Sequence, residues 1–356
     1  MSGAEWAIQM FDAQMFDAAL LNVSQINHYF QIGYVVAGLL LLLLTLYRMQ
    51  YCNPHSRGKS LLQLSIYHVF YLFGWLALEQ VWLLYSGQRS LWFAVSLLIF
   101  CLLMLYSRFI EPHRLKTHHT RIQLDAPQRL CRPLTVVLVA DVHVGLFSGK
   151  PQQLKKITRA INAVQPDLVL FAGDWTYEPN QTDLTIQLAA LAEINAPAYS
   201  VLGNHDEQVP GPPLQVALQA ALKKMGIMDI EGQIIDLDEV RLIGTGDLWA
   251  GKADLSALSE LPQDKPWLIM AHNPDTADLV PSLPHRPLLV AGHTHGGQVN
   301  LPYLTTWLLS KESRLGCVEG RYSQPTAELF VTAGTGLVWL PVRFRMPPRI
   351  DVLTLF

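Results

Sequence analysis

The chain has 356 residues, half of them hydrophobic and only 15% charged, with a formal net charge of −3. That length accommodates one sizeable α/β domain plus an appendage, and the low share of charge points to an apolar region that dilutes it. From Arg121 onward, 19 Lys and Arg stand against 24 Asp and Glu, a net of −5, which disfavours a nucleic-acid partner because such domains are basic on the face they use.

The apolar region is the N-terminal third. Gly33 to Tyr47, Leu61 to Tyr85 and Leu91 to Tyr106 are almost uninterrupted apolar stretches, and a membrane span needs ~20 such residues. Three membrane helices are expected, near residues 29–48, 61–85 and 91–110. A cleavable signal peptide is not expected, since Glu5, Asp12 and Asp17 precede the first basic residue, Arg48. The repeated Met-Phe-Asp-Ala at Met10 and Met15 has a spacing of five, matching neither helix nor strand, and reads as incidental or as a short interfacial segment. His68, Tyr71, Trp75 and Glu79 follow helical spacing on the second apolar stretch. An intramembrane ionisable residue is a functional candidate by default, but a helix–helix contact is the favoured reading of this face.

Arg108, Glu111, Arg114, Lys116, His118, His119 and Arg121 mark a break in composition, so a membrane region over 1–115 gives way to a soluble domain over 116–356. In that domain apolar runs alternate with amphipathic stretches at Gln152 to Val164, Leu184 to Ile194 and Leu214 to Met225, the pattern of a layered α/β fold. The later part is richer in strands, at Val240 to Gly244, Leu329 to Thr332 and Ile350 to Leu355. Cys52, Cys101, Cys131 and Cys317 are scattered, with neither a disulfide framework nor a zinc spacing, which suits a reducing compartment.

Five polar blocks carry the chemistry: Asp141-x-His143, Gly173-Asp174, Gly203-Asn204-His205-Asp206, Ala271-His272 and Gly292-His293-Thr294-His295-Gly296. Each follows an apolar run of the kind that forms strands buried on both faces. Open α/β sheets gather ligands beyond the C-terminal ends of their strands, so the blocks converge. Taken singly, each is an ordinary turn or a core histidine. Five in order along one chain, each after a strand, point to a dinuclear metal site. Gly292, Gly296 and Gly297 let the backbone turn sharply beside it.

Together with Gly-His-Thr-His-Gly-Gly-Gln over 292–298, His272-Asn273-Pro274-Asp275 and the Arg-Phe-x-x-Pro-Pro run from Arg343 to Pro348, these blocks resemble the calcineurin-like metallophosphoesterases, in particular the membrane-attached bacterial and transmembrane branch. The resemblance begins near Val136. It implies an α/β fold with a two-sheet sandwich flanked by helices, preceded here by the all-α membrane region. It also implies two divalent cations, one held by Asp141, His143, Asp174 and His295, the other by Asp174, Asn204, His272 and His293, with Asp174 shared. Two cations ~3.5–4 Å apart need such an anion and generate a hydroxide nucleophile between them. Imidazole and oxygen ligands without thiolate favour Mn²⁺, with Fe or Zn²⁺ the alternatives. His205 is implied as general acid. Tyr177 occupies the place where many relatives keep its carboxylate partner, which leaves Asp206 or Glu178 to substitute; Ala140, Ala333 and Arg349 are further departures.

Two apolar stretches, Leu301 to Leu309 with Tyr303 and Trp307, and Leu337 to Leu340 with Trp339, lie near Arg343, Arg345 and Arg349. They are either core strands or an exposed lipid-facing patch edged with cations. The expected function is hydrolysis of a phosphodiester or pyrophosphate at a membrane, with a UDP-2,3-diacylglucosamine-like lipid the specific substrate implied and membrane lipids as partners. The alternatives are a general phosphodiesterase or phosphatase on soluble substrates and a non-catalytic membrane adaptor on the same fold. Basic residues Arg48, Arg57 and Lys59 in the first loop, and Arg108, Arg114 and Lys116 after the third span, against Arg89 alone in the second, place the catalytic domain in the cytoplasm and the chain in the inner membrane.

Overall fold

The computed structural model describes residues 3–52, 56–179, 183–207, 214–309 and 313–356, with the side chains of residues 3–21 outside the description. The Met-Phe-Asp-Ala repeat falls among those side chains. The chain divides into two compact units, one made of residues 1–50 and 61–106, the other of residues 51–60 and 107–356.

The first unit is helical: α1 (Gly3–Met49), most of α2 (Arg57–Val69), α3 (Leu72–Tyr85) and α4 (Leu91–Leu105). Among the described residues, three segments are long and apolar enough to cross a membrane, Asn22–Met49, Arg57–Tyr85 and Leu91–His113. The second runs through a break at Phe70-Tyr71, between α2 and α3. The polar face of that segment joins helices together. His68 Nδ1 lies 2.6 Å from Thr45 Oγ1, Glu79 accepts a 2.7 Å hydrogen bond from the Tyr34 hydroxyl, and Trp75 Nε1 donates to the Phe30 carbonyl. These bonds pair polar groups within an otherwise apolar bundle.

The second unit holds two six-stranded sheets. The first contains β1 (Lys116–Ile122), β2 (Leu134–Val139), β4 (Leu168–Ala172), β6 (Ala198–Val201), β7 (Ile227–Asp229) and β14 (Arg349–Leu355) in the order β1-β14-β2-β4-β6-β7; a small pair, β3 (Val144–Gly145) and β5 (Thr176–Tyr177), extends from it. The second contains β8 (Ile234–Asp236), β9 (Arg241–Gly244), β10 (Trp267–Met270), β11 (Leu288–Ala291), β12 (Gly320–Ser323) and β13 (Glu328–Val331) in the order β12-β13-β11-β10-β9-β8. In each sheet four consecutive strands are parallel, β2-β4-β6-β7 and β13-β11-β10-β9.

Side chains alternate across these strands with a period of two, and both faces find partners. Val136, Leu138 and Leu170 of the first sheet meet Leu242, Met270, Val290 and Phe330 of the second in the central core. Val137, Val139, Val169 and Phe171 face outward onto a helical layer of α5 (Pro151–Val164), α6 (Leu184–Leu188) and α8 (Gln215–Lys224). Helix α5 shows why: Leu154, Ile157, Thr158 and Ile161 form its buried stripe, Pro151 starts it, and Gln165 ends it in the left-handed conformation at φ 53°. Ile243, Ile269, Leu289 and Leu329 pack outward on the opposite side. The result is a two-sheet sandwich flanked by helices, and within each sheet the four consecutive parallel strands deliver their C-terminal loops to one edge.

The break in composition after Tyr106 falls within the second unit. Residues 107–113 continue as a π turn and a 3₁₀ turn that bury Ser107, Arg108 and Glu111. Glu111 Oε1 accepts from the Met346 amide at 2.7 Å, and the Ser107 carbonyl accepts from the Arg343 amide at 2.9 Å.

Candidate metal centre

The loops after β2, β4, β6, β10 and β11 bring the five polar blocks together. Asp141, His143, Asp174 and His295 form one group in which the potential ligand atoms all lie within 4.8 Å of one another; Asp174, His272 and His293 form a second. Asp174 belongs to both. His272 Nε2 is 3.2 Å from Asp174 Oδ2, and Asn204 Oδ1 sits 3.2 Å from His272 Nε2 and 3.1 Å from His293 Nδ1.

Burial and backbone geometry hold these side chains in place. Asp141, His143, Asp174 and His272 are buried. Asp141, His143, Asp174, His293 and His295 all adopt positive φ, between 51° and 74°, a conformation costing ~1–2 kcal/mol per non-glycine residue. Strain concentrated at five neighbouring polar residues persists only where the surroundings over-determine it. Glycine makes room for this: a Cβ on Gly203 would sit 2.2 Å from Asp174 Oδ1, and one on Gly292 would sit 2.4 Å from the Ala140 Cβ. The tight turn itself falls to Gly296 and Gly297, at φ 59° and 77°; Gly292 is needed for its missing side chain and not for a positive φ.

The donor set suits divalent cations. A carbonyl only accepts, so the contacts of His143 Nδ1 with the Thr176 carbonyl (3.2 Å) and of His272 Nδ1 with the Ala172 carbonyl (2.8 Å) put the proton on Nδ1. The Nε2 lone pair of each ring is thereby aimed into the cluster, the arrangement of a metal-ligating histidine. With protein groups alone, burial pushes Asp141 up to about 7 with help from Asp174. Burial pushes His143 and His293 down to about 3, and for His293 the charge of His272 adds to this. Burial opposes the charged form of His272 as well, but the Asp174 and Asp141 carboxylates outweigh it and raise that imidazole to about 10. Burial likewise opposes ionisation of Asp174, yet His272, His205 and His143 hold it well below the usual carboxylate range. A buried carboxylate bridging several imidazoles demands a positive charge, from protons or from cations.

His205 stands beside the first group. Its amide donates to Asp174 Oδ1 at 3.0 Å, and its ring lies 5.2 Å from that of His143 and 5.0 Å from that of Tyr177, edge-on to both. Tyr177 thus orients this imidazole by packing. The two carboxylates expected to do so are engaged elsewhere. Asp206 is fully buried and accepts from the Trp175 amide, the Thr176 amide and hydroxyl, and the Gly203 amide, all between 2.9 and 3.1 Å. It ties the Asp174 loop to the Asn204 loop. Glu178 accepts from Lys59 Nζ at 2.9 Å and from the Ser56 hydroxyl.

Arg343 does not edge an exposed patch: it is completely buried and donates to the carbonyls of Ala333, Gly334, Gly336 and Met346 at 2.9 to 3.3 Å, so it shapes the loop after β13. Arg345 is exposed. The two apolar stretches are surface and not core strands: Trp339 is 62% exposed, Trp307 55% and Tyr303 91%. Gln298 joins them, accepting from the Val338 amide and donating to the Val338 carbonyl, both at 2.8 Å.

Three residues escaped the sequence reading. Gly246-Asp247 follows β9 as Gly173-Asp174 follows β4, a sixth block of the same form. Asp247 is buried, and burial raises its carboxyl above the usual range against the opposing charge of His272; its Oδ2 has no partner among the described residues. Trp249 packs edge-on to His293 with centroids 4.4 Å apart. Lys59 comes from a segment read only as a loop between spans.

The sequence model described as calcineurin-like phosphoesterase matches residues 134–307. The chain is 31% identical over 231 residues to a protein named phosphodiesterase YaeI of Escherichia coli, covering 63% of this chain and 82% of that one. It is 28% identical to the metallophosphoesterase YkuE of Bacillus subtilis, covering 70% and 88%. It is also 26% identical to a protein of Chlamydia muridarum named UDP-2,3-diacylglucosamine pyrophosphatase LpxG, covering 70% and 92%.

Proposed function

Because this chain belongs to the calcineurin-like phosphoesterase family, we propose that it is a membrane-tethered phosphoesterase with two divalent cations, hydrolysing a phosphodiester or pyrophosphate joined to a lipid. A molecule like UDP-2,3-diacylglucosamine is the specific candidate. The observation that carries the reading is the double cluster around Asp174, in which imidazole nitrogens and carboxylate oxygens converge without thiolate. We assign Asp141, His143, Asp174 and His295 to one cation and Asp174, Asn204, His272 and His293 to the other, with Mn²⁺ favoured over Fe or Zn²⁺. Bound there, the cations activate water and neutralise phosphoryl oxygens.

The chain's own residues do the rest. His205, held edge-on by Tyr177 beside Asp174, is assigned to the leaving oxygen. Burial lowers its basicity, while a phosphate anion beside it acts in the opposite direction and favours the imidazolium that donates a proton. The exposed Trp339, Leu340, Tyr303 and Trp307 offer amphipathic and apolar surface suited to acyl chains. Three helices of spanning length would keep such a substrate at hand, with the catalytic domain on the cytoplasmic face of the inner membrane by its basic residues.

The test is purified full-length protein with Mn²⁺ on paired substrates, one UDP-diacylglucosamine and one its deacylated counterpart. A higher kcat/KM for the acylated form, reduced by Trp339→Ala, is expected. Equal values, unchanged in that variant, would remove the lipid and leave a general phosphodiesterase on soluble substrates.

A further inference from the structure

Residues 51–60 join the first and second apolar helices in sequence, yet they belong to the same compact unit as the candidate metal centre. Lys59 is the residue this brings into place. Its Nζ is 2.9 Å from Glu178 Oε1, 5.1 Å from the centroid of the Tyr177 ring and 5.3 Å from that of Trp339. Tyr177 is in turn the ring packed against both His205 and His143. The ammonium therefore sits one aromatic ring away from the metal cluster, and its positive charge is felt at His205.

Three features mark this position as more than a surface ion pair. An exposed Lys–Glu pair contributes little and needs no aromatic support, but here two ring faces flank one ammonium. Glu178, whose side chain is almost enclosed, is held at φ 46°, a strained value for a non-glycine residue. The Lys59 side chain keeps 34% of its surface open, so an incoming anion can reach it. The other cation near the centre, Arg343, is buried with its donors given to carbonyls.

We propose that Lys59 is a substrate-binding residue, meeting the second anionic phosphoryl group of a diphosphate substrate while the first lies at the metal cluster, with Glu178 holding the ammonium until the substrate takes its place. This rests on the phosphoesterase reading above and deepens it: a loop from the membrane region completes the site, and diphosphates are preferred to single phosphates. Trp339 borders the same ammonium, so the anion site and the exposed apolar surface are continuous.

The test uses the Mn²⁺-loaded full-length chain and two probes that are not turned over, inorganic phosphate and methylenediphosphonate. Lys59→Gln should weaken methylenediphosphonate binding tenfold or more and change phosphate binding less than about twofold, with metal content unaltered. Lys59→Arg should restore most of the loss. Glu178→Gln, which frees the ammonium, should bind the diphosphonate as well as the parent or better. An unchanged diphosphonate affinity in Lys59→Gln, no diphosphonate binding by the parent, or an equal loss in Glu178→Gln would overturn the proposal, the last by showing that the pair only anchors the loop. Failure of the phosphoesterase reading looks different: no ester or diphosphate is hydrolysed by the parent chain, whatever Lys59 does to diphosphonate affinity.

Discussion

His143 and His295 face each other with their Nε2 atoms 2.8 Å apart, the rings stacked at 4.8 Å with 11° between their planes. His143 has its proton on Nδ1, toward the Thr176 carbonyl, so it presents a lone pair to its neighbour. Such a contact is favourable only if His295 donates a proton across it or a cation draws on both nitrogens. The same choice between proton and metal recurs at His272, and it has a measurable consequence.

Cation binding should release protons. His272, raised to about 10 by Asp174 and Asp141 despite burial, must be neutral to serve as a ligand. Metal affinity is therefore expected to fall as pH drops below about 10, and titration calorimetry in buffers of different ionisation enthalpy reads the proton release directly. The sign for stability follows from the same shift. Without metal, the His272 proton stabilises the fold fully below the ordinary imidazole value and this contribution is lost as pH rises through about 10. Chelated protein should lose melting temperature over that window and metal-loaded protein should not; parallel behaviour of the two would argue against His272 as a ligand.

His205→Ala should leave the metal content unchanged and reduce turnover by ~10²–10⁴. The variant removes a ring beside the cluster and none of the nitrogens or oxygens within it. Metal analysis and steady-state rates on one preparation check this, and full activity in the variant would refute the assignment.

Asp206→Ala should act on stability. Four donors converge on this buried carboxylate, and leaving buried donors without partners costs ~1–3 kcal/mol each at the outset. A loss of ~3 kcal/mol or more in chemical denaturation of the catalytic unit is expected, with Asp206→Asn intermediate. A variant as stable as the parent but inactive would instead favour the direct role beside His205 expected from the sequence.

How much of this was legible depended on whether a residue's role left a local mark. The apolar runs that became β2, β4, β6, β10 and β11 are continuous because both faces are buried, and the blocks after them were readable from order alone. Strand β1 left no mark: Lys-Thr-His-His-Thr-Arg-Ile is an exposed edge paired only with β14, so its backbone bonds define it and its side chains do not. The direction of the Asp206 carboxylate, toward the Trp175 and Thr176 amides, is not legible from its adjacency to His205 in sequence. The burial of Arg343 is not legible beside the apolar stretches, because its carbonyl partners come from turns whose shape no local pattern reveals. Asp247 could have been found, since Gly-Asp after an apolar strand had already been used as a signal at Asp174. Lys59 could not, because more than a hundred residues separate it from Glu178.

In the proposed orientation the first loop and the catalytic domain share the cytoplasmic side, where the basic residues Arg48, Arg57, Lys59, Arg108, Arg114 and Lys116 would place them; residues 51–60 fall in the same compact unit as 107–356. Protease added to intact cells or spheroplasts should spare the catalytic domain until the membrane is opened; digestion from outside would reverse the assignment.

The central claim is that the Asp174 cluster holds two cations and that both are needed for phosphate-ester hydrolysis. The most direct measurement is a titration of Mn²⁺ into chelated full-length protein, following bound metal and hydrolysis of bis-p-nitrophenyl phosphate together, with Asp174→Ala alongside. Saturation is expected at about two ions per chain, with activity appearing as the second ion binds and neither binding nor activity in Asp174→Ala. Activity that is complete before metal is added, or that survives in Asp174→Ala, would contradict it.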